Sequence, residues 1–260
     1  MIEDVPKNLL QDKNGLFFLK KSDIEKNSIS FYDCFIKNGE MAKAFFYCIK
    51  GNNSYIVKKH NFLNRKKEQD AIIEMLEHFK IISKLLNKVD LPIGYYKELG
   101  KVKGIIIPYY ENAISIMNMM LNYSLDDIKK IYFYDDDNIY NLFHIFLEII
   151  SLIEEMYENQ MFYYDINDNN FLIYQNEIKV IDFEPYRVIF NEDTKTFPII
   201  AFNYLLLLNE ILKKYQLMDN DLVQKTFDYR KIMERTSEFN YDFNKVKAYV
   251  KKIENNIRKG

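Results

Sequence analysis

Tryptophan is absent from this sequence, and cysteine, proline and glycine are scarce, at 2, 5 and 7 of 260 residues. Two cysteines, Cys34 and Cys48, cannot build a disulfide framework and do not have metal-ligand spacing, so they read as core thiols. The three histidines, His60, His78 and His144, are scattered with no HExxH-type pairing, which makes them surface or packing residues rather than zinc ligands. No repeat at solenoid spacing is present. An excess of one charge is missing as well: 36 basic residues face 38 acidic ones, for a net charge of −2. No uniform field therefore draws the chain to nucleic acid or an anionic membrane, and no nucleic-acid partner is expected. The opening "MIEDVPKNLLQDKNG" lacks the basic region, apolar core and small-residue cleavage site of a secretory signal, so the expected location is cytoplasmic. The longest apolar runs, "FPIIAFNYLLLLNEIL" and "IYNLFHIFLEIISLIEEMY", are interrupted by Asn203, Asn209 and Glu210, and by Glu148 and Glu154. They read as buried helices, and no transmembrane segment is expected.

What is present is a 48% apolar chain, enough to bury a sizeable core in one large domain or two lobes. From Ser30 the pattern predicts three antiparallel strands, "SFYDCFI", "AKAFFYCI" and "SYIVKKH", with Asn38-Gly39 as a tight-turn signal because both residues tolerate positive φ. A helix follows from near Asn64, carrying an apolar stripe through Ile72, Ile73, Leu76, Phe79, Ile81, Ile82, Leu85 and Leu86. Two more strands, "IGYYKEL" and "KGIIIPYY", flank a turn at Gly100. After Glu111 the character changes: a long helix is predicted from about Asp137 to Glu158, capped by the "DDDN" run, then a hairpin, then helices from Phe197 onward. This order predicts an α+β chain with an N-terminal extension (1–29), a small β-rich lobe (30–111) and a larger, mostly helical lobe (112–260).

The hairpin lies in "YYDINDNNFLIYQNEIKVIDFE", residues 163–184, where two apolar runs are joined by "QNE" and flanked by Asp165, Asn170 and Asp182. Taken alone, "DINDNN" is also what any turn prefers. Followed by "VIDFE", it resembles the catalytic loop and metal-binding motif of the protein-kinase-like superfamily. Asp165 and Asn170 match the family's Asp and the Asn five positions later, and Asp182-Phe183-Glu184 stands in the place of D-F-G. The strand "YIVKKH" resembles V-A-I-K, which offers Lys58 as the phosphate-binding lysine, with Lys59 as the alternative register. The helix after it offers Glu77 as the lysine's ion-pair partner, with Glu74 as the alternative. The resemblance spans roughly residues 30–212.

That resemblance implies a two-lobed kinase-like fold whose smaller lobe is a five-stranded antiparallel sheet with one helix. It implies ATP and Mg²⁺ as cofactors and transfer of the γ-phosphate to a hydroxyl of a protein or small molecule. In such a reaction the protein mainly aligns the phosphates and neutralises their charge. Lys58 would hold the phosphates, Asn170 and Asp182 would supply the oxygen ligands that Mg²⁺ prefers, and Asp165 would orient the acceptor hydroxyl and take its proton. Gly39 would cover the nucleotide.

The departures are as specific as the matches. Where relatives carry a glycine-rich loop, "KNGEMAKA" retains only Gly39, with Lys37, Ala42 and Ala44 at the other positions. H-R-D reads Tyr163-Tyr164-Asp165, without the arginine that grips a phosphorylated activation segment, so regulation of that kind is not expected. Asn167 stands where protein kinases of the Ser/Thr class carry lysine, Glu184 replaces the D-F-G glycine, and no A-P-E motif precedes the helix near Phe197. The peptide-docking segment is thus missing or short, as in atypical bacterial small-molecule kinases and compact effector kinases. The competing readings are an inactive pseudokinase that serves as a binding module, favoured by the reduced glycine loop, and an enzyme that transfers AMP.

Overall fold

A computed structural model describes residues 9–29, 45–59, 66–185, 187–190, 196–217 and 229–259. The protein is α+β. It divides into two compact units, Met1–Glu111 with Phe183–Pro185, and Asn112–Asp182 with Tyr186–Gly260.

The first unit is built on a sheet of β1 (Leu10–Gln11), β2 (Phe17–Lys20), β3 (Ile24–Ile29), β4 (Phe45–Ile49), β5 (Asn52–Lys59), β6 (Gly94–Glu98) and β7 (Lys101–Pro108). Their order is β1-β2-β6-β7-β5-β4-β3. The expected five-stranded antiparallel sheet is therefore corrected: the sheet has seven strands among the described residues and is mixed. Three of the strands come from residues 10–29, the stretch expected as an extension, and β2 lies parallel to β6, with Phe17 opposite Gly94. The glycine permits that approach, since a Cβ on Gly94 would lie 2.2 Å from the Phe17 carbonyl oxygen. The strand expected at 30–36, the Asn38-Gly39 turn and Gly39 itself lie outside the described residues.

Alternation along the central strands separates two faces. Val57 and Ile106, which are paired in register, join Leu19, Ile49 and Tyr96 in one buried cluster. The intervening positions, Ile56, Lys58, Ile105 and Tyr95, point to the other face. Helix α1 (Lys66–Ile82) packs against β7 and buries Ile72, Met75, Leu76 and Phe79. The β6–β7 connection is a two-residue turn with both residues at positive φ, Leu99 at 50° and Gly100 at 77°.

The second unit begins with β8 (Ile114–Ser115) and helices α2 (Ile116–Asn122) and α3 (Ile128–Ile131). The helix predicted near Asp137 is α4 (Asn138–Glu158). Asp137 is its N-cap, and its carboxylate accepts from the N–H groups of Ile139 and Tyr140. Strands β9 (Phe162–Tyr163), β10 (Phe171–Tyr174), β11 (Glu177–Val180) and β12 (Val188–Ile189) follow, then α5 (Thr196–Lys214), α6 (Tyr229–Glu238) and α7 (Phe243–Ile257). Helix α4 packs on α7, and α5 packs on α6. Tyr157, Phe162, Phe197 and Phe243 meet through edge-on ring contacts of 4.9–5.9 Å between centroids. Among the described residues one helix, α5, is long and apolar enough to cross a membrane, and 61% of that stretch is buried within the protein.

Candidate active site

Two short ladders set the geometry of the acidic loop. Strand β10 pairs with β11 through a two-residue turn at Gln175 and Asn176, whose φ values of 49° and 66° suit a tight antiparallel hairpin. Ile181 N–H then donates to the Asn170 carbonyl at 2.9 Å, so the ladder is extended to bring the two ends of the hairpin together. Strand β9 pairs with β12, Tyr163 opposite Val188, and Tyr164 N–H donates to the Arg187 carbonyl at 3.0 Å. This second ladder fixes where the Arg187 side chain begins.

Asp165, Asn170 and Asp182 lie close together. Asn170 is 4% exposed, and its amide donates at 2.8 Å both to the Asp165 carbonyl and to Asp165 Oδ2. Asn167 Nδ2 donates to Asp165 Oδ1 at 2.8 Å. Asp182 sits at φ +69°, a left-handed conformation that aspartate tolerates better than most residues. A group that sequence reasoning did not select completes the cluster. Arg187 Nη1 donates to Asp165 Oδ2 and also to Asp182 Oδ2, so a single guanidinium nitrogen bridges both carboxylates. The signal available in the sequence was slight: Arg187 is simply the first cation after Asp182.

The surrounding residues hold the loop. Tyr163 is fully buried and its hydroxyl donates to the Ile181 carbonyl at 2.9 Å. Burial, and then the charges of Asp182 and Asp165, keep its phenol well above the ordinary range, so it remains a donor. Asn203 of α5 donates to the Tyr164 carbonyl at 3.0 Å, and Met117 N–H of α2 donates to the Asp168 carbonyl at 2.9 Å. Burial pushes the Asp168 carboxyl above its ordinary value of 3.8.

Lys58 lies in the first unit, on β5 between β4 and β7, opposite Phe46 and Ile105. Gly104, one position along β7, lets the strands approach there, for a Cβ on it would stand 2.3 Å from the Lys58 carbonyl oxygen. Lys58 is 7% exposed and its ammonium lies 2.7 Å from Glu184 Oε1. The expected pairing with Glu77 is corrected: Glu77 accepts instead from Asn14 Nδ2 at 2.6 Å, and Glu74 is exposed. An α1 carboxylate is not needed by the lysine because the residue two positions beyond Asp182 supplies one. Phe183 packs its ring edge-on against Phe79 of α1 at 5.7 Å, which seats Glu184 in this unit. Lys59, the alternative register, is half-buried and pairs with Glu98 at 2.8 Å.

The remaining titratable residues carry less. Tyr132 and His144 Nδ1 are hydrogen-bonded at 2.7 Å, and the imidazole stacks on Tyr134 at 3.6 Å, which is packing. Among the described residues no group of three or more His, Cys, Asp or Glu side chains could hold a metal ion by itself. The residues expected to hold a divalent ion, Asn170 and Asp182, offer hard oxygens, and such an ion would take its remaining ligands from phosphate and water. No protein-family model matches this chain, and a search of curated proteins finds no match either.

Proposed function

We propose that the protein is an ATP- and Mg²⁺-dependent phosphotransferase of atypical, two-lobed kinase-like fold, acting on a hydroxyl of a protein or small molecule. The observation that carries the reading is the convergence of Asp165 and Asp182 on a single guanidinium nitrogen, with the buried Asn170 amide tied to Asp165. Asp165 is then the residue that orients the acceptor hydroxyl and receives its proton, which asks for a carboxylate held firmly and in its ionised form. Its bonds to Asn167 and Asn170 hold it in place. Asp182 and Asn170 would hold Mg²⁺, which would neutralise charge on the phosphates. Lys58, buried and charged on a central strand, is suited to grip a phosphate where water competes little.

A second reading has an observation of its own. Arg187 is shared as a counterion by Asp165 and Asp182, and Glu184 pairs with Lys58, so each of these charged groups has a protein counterion. That balance favours a pseudokinase acting as a binding module. Purified protein given γ-labelled or α-labelled ATP, with Mg²⁺ and candidate acceptors, separates the readings. Transfer of the γ label alone supports the phosphotransferase, transfer of the α label points to AMP transfer, and transfer of neither across a broad panel of acceptors supports the binding module.

A further inference from the structure

Lys58 and Glu184 are both more than nine-tenths buried, with side-chain exposures of 9% and 5%, and lie 2.7 Å apart. A buried charge that loses its partner is far costlier than an exposed one, so each group dictates where the other sits. The two residues are 126 positions apart in sequence, and the contact therefore fixes the segment after Asp182 to the centre of β5. The same positions stand out in the sequence for separate reasons: Lys58 as the phosphate-binding candidate, and Glu184 as the residue replacing a glycine. Of the two α1 glutamates singled out in the sequence, Glu77 is engaged with Asn14 and Glu74 faces solvent.

We propose that Glu184 is the positioning residue for Lys58, doing from the segment after Asp182 what a glutamate on α1 would otherwise do. The proposal rests on the phosphotransferase reading and deepens it. Placement of the lysine then depends on the Phe183–Pro185 segment, which follows Asp182 directly, rather than on the rotation of α1. Shifting that segment would disturb Lys58 directly, whereas α1 reaches the ion pair through the Phe79–Phe183 ring contact.

The test is the affinity of Mg-ATP and of adenosine, by titration calorimetry, for wild type, Lys58→Met, Glu184→Gln, Glu77→Gln and the double variant Lys58→Met/Glu184→Gln. Glu184→Gln should weaken Mg-ATP on the order of tenfold, and adenosine should change little, because only the phosphate contact depends on the lysine's position. The double variant should bind Mg-ATP as Lys58→Met does, since a positioning residue has nothing left to position. Glu77→Gln should bind as wild type does. Should Glu184→Gln not fold, the apolar pair Lys58→Met/Glu184→Leu removes both charges of this ion pair and should fold, and Glu184→Asp should retain part of the affinity. Unchanged Mg-ATP affinity in Glu184→Gln, an equal loss of adenosine binding, or a defect in Glu77→Gln to match Lys58→Met overturns the proposal while the reading beneath it stands. Failure of wild type to bind Mg-ATP overturns both.

Discussion

Arg187 occupies a position that a cation of another kind could contest. Its guanidinium lies between two carboxylates, and its removal leaves Asp165 and Asp182 facing one another with less positive charge nearby. Like charges in proximity repel, and the repulsion is relieved by a proton or a metal ion. Arg187→Ala should therefore raise the affinity for Mn²⁺ alone, measured by electron paramagnetic resonance without nucleotide, on the order of tenfold. The same variant should be less stable than wild type in the presence of a chelator and should recover with added metal. Equal Mn²⁺ affinity in both proteins would mean that the guanidinium and the metal do not compete. The neighbouring residues show what was legible at this scale. Asp165, Asn170 and Asp182 were legible through the resemblance carried by "DINDNN" and "VIDFE" together, since Asp and Asn at a turn are ordinary by themselves. Arg187 and the Glu184 partnership were not, since a side chain's partner is fixed by packing between distant segments rather than by its neighbours in sequence.

Elements hold the loop as firmly as side chains do. The Asp168 carbonyl is tied to α2, and its carboxyl is raised by burial, while Glu210 on α5 is raised by burial and then by the charge of Asp168. A carboxyl whose folded pKa exceeds its unfolded one binds its proton more tightly in the native state. Its stabilising contribution is full below the unfolded value of 3.8 and is lost as pH rises through the folded value. Asp168→Asn removes that loss, so its stability relative to wild type should improve as pH rises from below 3.8 and then level off. Urea midpoints measured between pH 3.5 and 7 follow the difference, and a difference independent of pH would show that this carboxyl titrates alike in the folded and unfolded chain. Elements with a strong local signature were readable: α4 from its stripe and its Asp137 cap, β6 and β7 from a glycine turn, β10 and β11 from apolar runs about a polar turn. Strand β2 was not, because four residues, Phe17–Lys20, carry little periodicity and their partner is a parallel strand at Gly94–Glu98. Only the tertiary structure pairs them, and the five-strand expectation failed there.

On the scale of the molecule, each unit carries its own part of the proposed chemistry: Lys58 and Glu184 in the first, and Asp165, Asn170, Asp182 and Arg187 in the second. A nucleotide that binds only the folded chain adds stability as RT ln(1 + [L]/Kd), about 2.7 kcal/mol at a hundredfold excess over Kd. In a chain of this size each kcal/mol moves the thermal midpoint by roughly 2–4 °C, so Mg-ATP should raise it on the order of 5–10 °C. The substitution Asp182→Asn dissects that shift cleanly, because asparagine tolerates the positive φ at this position and so removes charge without adding backbone strain. It should remove most of the Mg-dependent part, whereas Lys58→Met should reduce the shift with or without metal. The comparison needs each variant's own midpoint without ligand, for Lys58→Met leaves Glu184 buried without this partner and should cost about 3–5 kcal/mol by itself. A wild-type midpoint that stays fixed with Mg-ATP, Mn-ATP and Mg-GTP at millimolar concentration would withdraw nucleotide from the account. The paired charges, Lys58 with Glu184 and Arg187 with its two carboxylates, would then be counterions that hold the two units' folds, and the binding-module reading would take the place of the phosphotransferase.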